Sequence, residues 1–181
     1  PDGSLDSSFA AGGVFRLAGN APDSVIVTPN NQILWLLNSK IYRIQQNGEL
    51  DSTFLTQGLM INNGVVQLDD FALQPDGKII AGGRSYSSGF QQLNPTVVRF
   101  LANGELDTTF GNGGISIKLS ESRFYGERIR IQPDGKIILA GEINRTMADS
   151  RFILLRFMGD TSFFEQQTEK KRASSLLTGL D

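Results

Sequence analysis

Among its 181 residues the chain has no cysteine and no histidine, a single tryptophan and no long apolar run. The first two absences exclude disulfides, thiol and imidazole metal ligands, and Ser-His-Asp or Cys-His nucleophile pairs. Any chemistry has to come from carboxylates, Lys, Tyr or oxygen-ligated cations. Seventeen Lys and Arg against nineteen Asp and Glu lack the basic excess with which proteins hold nucleic acid, so no nucleic-acid partner is expected. The longest stretch of large apolar residues, Ile33 to Leu37, is far shorter than a bilayer-crossing helix, and no membrane insertion is expected. No basic and then apolar leader stands at the start. The chain opens at Pro1, inside a repeat, and so reads as a piece of a longer protein whose targeting information lies elsewhere. Its length suits one domain with a substantial core.

What is present is repetition. "QPDGKII" occupies 74–80 and again 132–138, and "TPNNQIL" at 28–34 is a worn copy. A second motif runs "DGSLDSSF" at 2–9, "NGELDSTF" at 47–54 and "NGELDTTF" at 103–110. Aligned on Gly3, Gly48 and Gly104 the spacings are 45 and 56; aligned on Pro29, Pro75 and Pro133 they are 46 and 58. Two markers report one period, the signature of a solenoid or propeller built from one supersecondary unit. The repeats run approximately 1–46, 47–102 and 103–157.

In the third copy "GISIKL" (114–119), "ERIRIQ" (127–132), "KIILAG" (136–141) and "RFILLRF" (151–157) are short, apolar and bounded by turn residues. They read as four strands. Pro-Asp-Gly between two of them makes a tight hairpin, with Pro presetting φ and Gly taking the positive φ. The expected fold is all-β: a propeller-like array of about three four-stranded antiparallel blades. Three blades cannot close a ring, so closure is expected either by two chains forming six blades or as part of a longer propeller. Residues 1–17 are expected to supply the strand that completes the last blade. Residues 158–181 depart from the pattern and suggest a tail or short helix, with Ala173, Leu176, Leu177 and Leu180 at helical spacing.

"QPDGKIILAG", an apolar strand ending Arg-Phe, and "NGELDTTFGNGG" together resemble the delta-60 repeat, over roughly residues 1–157. The first copy departs from it, with Pro29-Asn30-Asn31 for Pro-Asp-Gly and "LTQG" (55–58) for "GNGG" (111–114). The resemblance implies a β-propeller-forming element of bacterial proteins, often large and surface-associated. It points to an extracellular or cell-surface location and implies no catalytic residue.

Identical repeats mark a structural part rather than a site. Asp6, Asp51 and Asp107 precede Phe9, Phe54 and Phe110; Asn47, Glu49 and Asp51 alternate like ligands of a Ca2+ loop but lack its distal Glu, which favours a local Asx turn with the Phe as anchor. In a meander the Pro-Asp-Gly and Asn-Gly-Glu-Leu-Asp turns share one end, and the differing connections (38–40, 60–68, 84–95, 119–126 and 142–150) share the other. Binding residues concentrate on loops held by a scaffold. The candidate partner-binding residues there are Arg84, Tyr86, Phe90, Arg123, Phe124, Tyr125 and Arg145, of the types that anchor interfaces. Asp23, Asp69 and Glu127 sit six residues before Pro29, Pro75 and Pro133; if their strands are innermost, they form a carboxylate ring at a channel mouth that could hold Ca2+ or a basic partner. The leading reading is a non-enzymatic module binding a protein or glycan through the variable end. The alternative is a glycosidase or lyase working through paired carboxylates.

Overall fold

In a computed structural model the described residues are 2–17, 22–54, 60–61, 64–86, 92–120, 122–144 and 149–159. Among them the chain is all β. β1 (Ser24–Val27), β2 (Ile33–Leu37) and β3 (Lys40–Ile44) form a first antiparallel sheet. The second contains β4 (Met60–Ile61), β5 (Gly64–Leu73), β6 (Ile79–Tyr86), β7 (Leu93–Phe100) and β8 (Ile115–Ile117), in that order. The third contains β9 (Arg123–Ile131), β10 (Ile137–Asn144) and β11 (Ser150–Phe157). The helix suggested for the tail falls on residues 160–181, outside the described residues.

Each sheet contains a hairpin closed over a repeated turn (β1–β2, β5–β6 and β9–β10): Gly77 and Gly135 adopt φ +85° and +83°, which only glycine takes without strain. The worn copy reaches the same bend with Asn31 at φ +58°, the residue that best tolerates this region after glycine.

The sequence repeat and the structural sheet are offset. Ile115–Ile117 comes after the turn motif of the third repeat, yet it pairs with β7 of the second sheet, Val98 opposite Ile115 and Thr96 opposite Ile117. The strand expected to open the third blade therefore closes the second one. The unit that folds runs from an inner strand, through two hairpins, to a strand beyond the Asn-Gly-Glu-Leu-Asp turn.

The core lies between sheets. Leu34, Leu36 and Ile41 of the first meet Val66, Leu68, Phe71, Ile79, Ala81, Val98 and Phe100 of the second. On its other face the second sheet sets Ile80 and Val97 against Phe124, Ile129, Ile137 and Leu139 of the third. Adjacent residues, Ile79 and Ile80 or Val97 and Val98, thus point into different cores, as the two-residue pleat requires. This is why β7 is buried along its whole length and why its sequence shows no alternation. β1 touches β5 and β5 touches β9 across the sheets, so the three strands that lead into the repeated hairpins lie side by side, as innermost strands of successive blades do.

Candidate functional site

The repeated turns form a clasp. In the first sheet, one Asp51 carboxylate oxygen accepts hydrogen bonds from the Thr53 N–H (2.9 Å) and hydroxyl (2.6 Å). The other accepts from Arg43 Nε (2.8 Å) and Gln45 Nε2 (2.7 Å). The guanidinium of Arg43 lies 4.6 Å from the centre of the Phe54 ring. The second sheet repeats this with Asp107, Thr109, Arg99 (2.8 Å) and Phe110 (4.9 Å). The Thr53 hydroxyl first, and after it Arg43 and the Thr53 N–H, outweigh burial and hold Asp51 down to about 2. Burial raises Asp107, but Thr109 and Arg99 together bring it below the ordinary carboxylate range.

These carboxylates are struts. Asn47 Oδ1 is likewise occupied, accepting the Glu49 N–H at 3.1 Å, and Asn103 does the same for Glu105. The Asx-turn reading of the motif is the geometry found. The sequence pattern missed the partner, the Arg eight residues upstream at the end of the preceding strand, although Arg43 and Arg99 recur in register. Lys78 of the Pro-Asp-Gly hairpin reaches Asp107 at 3.5 Å, which puts both repeated turns at the same end of the sheet.

At the opposite end the strands extend into what read as connections: 84–86, 123–126 and 142–144 are in strands. Two equivalent bulges reshape this end. The β5–β6 register skips Asp69, and the β9–β10 register skips Glu127. Opposite them stand Gly83 and Gly141, where a Cβ would run into the carbonyl oxygens of Gln67 and Tyr125. Gly141 ends the strand read at 136–141 and Gly83 borders the connection read from 84; both are strand residues that let a bulged partner approach.

Arg84 holds this end together. Its Nη1 is 3.1 Å from Asp69 Oδ2, and its guanidinium lies 5.3 Å from the centre of the Tyr125 ring on the next sheet. The Tyr86 hydroxyl bonds Gln67 Oε1 at 3.0 Å. Arg84, Tyr86, Tyr125 and Asp69 are thereby brought together at the junction of the second and third sheets. Arg123 is exposed at the end of β9. Phe124 is no surface anchor: it is fully buried, because its position on β9 faces the core shared by the second and third sheets. Phe90 and Arg145 lie outside the described residues. Of the acidic ring, Asp69 is paired with Arg84, Asp23 is exposed just ahead of β1 with its N–H on the Leu36 carbonyl, and the side chain of Glu127 is not among those described. Among the described residues no three carboxylates group closely enough to hold a metal ion.

One carboxylate the sequence did not single out joins two sheets. Asp70 on β5 is buried and accepts the Ile129 N–H at 3.0 Å and Arg130 Nη1 at 2.8 Å from β9.

Stacked antiparallel meanders whose inner strands touch, the second completed by a strand from beyond a sequence-repeat boundary, define a β-propeller-type repeat protein. Residues 74–110 and 132–163 match the family described as "Domain of unknown function (DUF5122) beta-propeller". No curated protein matches the chain.

Proposed function

We propose that the chain is a non-enzymatic β-propeller module that binds a protein or glycan through its variable end, as part of a bacterial surface or secreted protein of the delta-60 type. The observation that carries this reading is the Arg84 cluster. A guanidinium held between Asp69 and Tyr125, with the Tyr86 hydroxyl nearby, offers aromatic area, donors and acceptors on strands that are themselves packed. Such rigid aromatic and arginine groups anchor interfaces. The glycosidase alternative needs two carboxylates roughly 5 to 10 Å apart in one cleft. The cleft of about 540 Å³ beside β1 and β5 has one carboxylate in its lining, Asp70, and that one is tied to Ile129 and Arg130.

The test compares a photocrosslinking residue at Tyr125 with one at Asp134 on the repeated-turn end, against a bacterial surface extract and a glycan array. Adducts or glycan signals that need Tyr125 and are lost in Arg84→Ala are the expected result. Adducts formed from Asp134 and not from Tyr125 would overturn the reading.

A further inference from the structure

Asn-Gly pairs stand at 47–48, 63–64, 103–104 and 112–113. They share one latent reaction, attack of the glycine backbone nitrogen on the Asn side-chain amide, because a glycine has no Cβ to obstruct the approach. Two groups govern it. The glycine N–H has to give up its proton, and the Asn carboxamide has to turn toward the nitrogen. Asn63 lies outside the described residues, which leaves three pairs to compare.

At Asn47 and Asn103 both groups are held. The Gly48 N–H donates to the Gln45 carbonyl and the Gly104 N–H to the Leu101 carbonyl, each at 2.9 Å. Amides bonded in this way lose their protons only when the local structure opens. Asn47 Oδ1 accepts the Glu49 N–H at 3.1 Å and its Nδ2 donates to Glu49 Oε2 at 3.0 Å; Asn103 is tied to Glu105 at the same two distances. The glutamate charge also opposes the anion that the attacking nitrogen has to become. Both glycines are buried, Gly48 against Ala10 and Gly104 against Phe54.

Asn112 and Gly113 are the opposite case. Both are exposed, and a Cβ built on Gly113 would meet nothing within 4 Å. Among the described residues neither the Asn112 side chain nor the Gly113 N–H makes a hydrogen bond. The Asn side chain is not needed for the turn either. In the first copy Ala11 stands in its place, yet Gly12 and Gly13 keep φ of +65° and +85° against +62° and +99° for Gly113 and Gly114. The Gly13 N–H bonds the Phe9 carbonyl at 2.7 Å, as Gly114 bonds Phe110. What the main chain does here matters more. The Asn112 N–H donates to the Ile115 carbonyl at 2.8 Å, and the Gly114 carbonyl accepts the N–H of Arg99, the clasp arginine, at 3.0 Å. These bonds pin the start of β8 to β7.

We propose that Asn112–Gly113 is a site of spontaneous modification to isoaspartate, and that the clasp turns protect Asn47 and Asn103 from the same reaction. The Gly113 nitrogen, having passed its proton to water or hydroxide, bonds to Asn112 Cγ; the Cγ–Nδ2 bond breaks and ammonia leaves, taking up a proton. The resulting succinimide is opened by water at either ring carbonyl, giving aspartate or isoaspartate. The isoaspartate product routes the main chain through the former side chain and so displaces Gly114 from Arg99, which loosens the outer strand of the second sheet.

The test incubates the folded chain in mildly alkaline buffer and digests it after glutamate, which separates Asn103 from Asn112. Mass spectrometry follows the loss of each amide, and an isoaspartate methyltransferase labels the rearranged product. Asn112 is expected to react at least about tenfold faster than Asn47 and Asn103, the factor that breaking two ordinary hydrogen bonds sets. In denaturant the three rates converge, because the protection comes from the fold. Asn112→Ala, the residue that the first turn copy carries, leaves that peptide unlabelled. Equal rates in the folded chain, or a lead for Asn112 that persists in denaturant, would overturn the proposal.

Discussion

At the scale of single residues, the clasp of Arg, Asp and Phe explains why the turn motif recurs. Arg99 and Asp107 are 5% and 3% exposed, so removing the acid strands a cation in a dry site. Asp107→Ala should cost roughly 3–5 kcal/mol by denaturant unfolding, and the paired change Arg99→Met with Asp107→Leu should cost much less, because it removes both charges. The first clasp adds a pH dependence. Asp51 is held at about 2 in the folded chain against an ordinary value of 3.8. Its folded value is depressed, so its contribution is complete above the ordinary value and is lost as pH falls through the folded one. The stability difference between the wild type and Asp51→Asn should therefore be constant at neutral pH and shrink between about pH 4 and about pH 2. A difference that does not change over this range would show that the carboxylate is not held in the clasp.

At the scale of the element, the paired bulges at Asp69 and Glu127 set the shape of the variable end, and Gly83 and Gly141 permit them. Gly83→Ala puts a methyl group against the Gln67 carbonyl and should destabilise by roughly 1–3 kcal/mol; Gly113→Ala, which meets open space but carries φ +62°, should cost only about 1–2 kcal/mol through its backbone. The hairpins were legible in the sequence because Pro-Asp-Gly and Asn-Gly-Glu dictate their own backbone. The strand ends were not. A bulge is a matter of cross-strand register, and residues such as Gly83, Gly126 and Gly141 carry the same letters as loop glycines. Phe124 was misplaced for this reason: inside the differing segment 119–126 it reads as part of a connection, whereas the strand through it is continuous and points it inward. The outer strand Ile115–Ile117 was recognised as a strand but given to the wrong sheet, since a sequence repeat fixes the period and leaves the point of division free. The Arg84 cluster was legible only as residue types. That Arg84 bridges Asp69 and Tyr125 depends on the packing of one sheet against another, which no single repeat encodes.

At the scale of the whole molecule, repeat and blade are offset: the second sheet takes its last strand, β8, from beyond a repeat boundary. Neighbouring sheets are joined at both ends: Arg43 Nη1 donates to the Ala102 carbonyl at the repeated-turn end, and the Arg84 guanidinium lies over the Tyr125 ring at the other. In the function proposed above, binding falls to the variable end. The most direct measurement of this account is an experimental structure of the particle as it exists in solution, read for the number of blades and for the strand beside β11. A ring in which β1, β5 and β9 line one channel, with an outer strand from beyond the next turn motif lying against β11, is the result the account predicts. A three-bladed arc with that edge bare, or β11 covered by a segment unrelated to the turn motif, would contradict it.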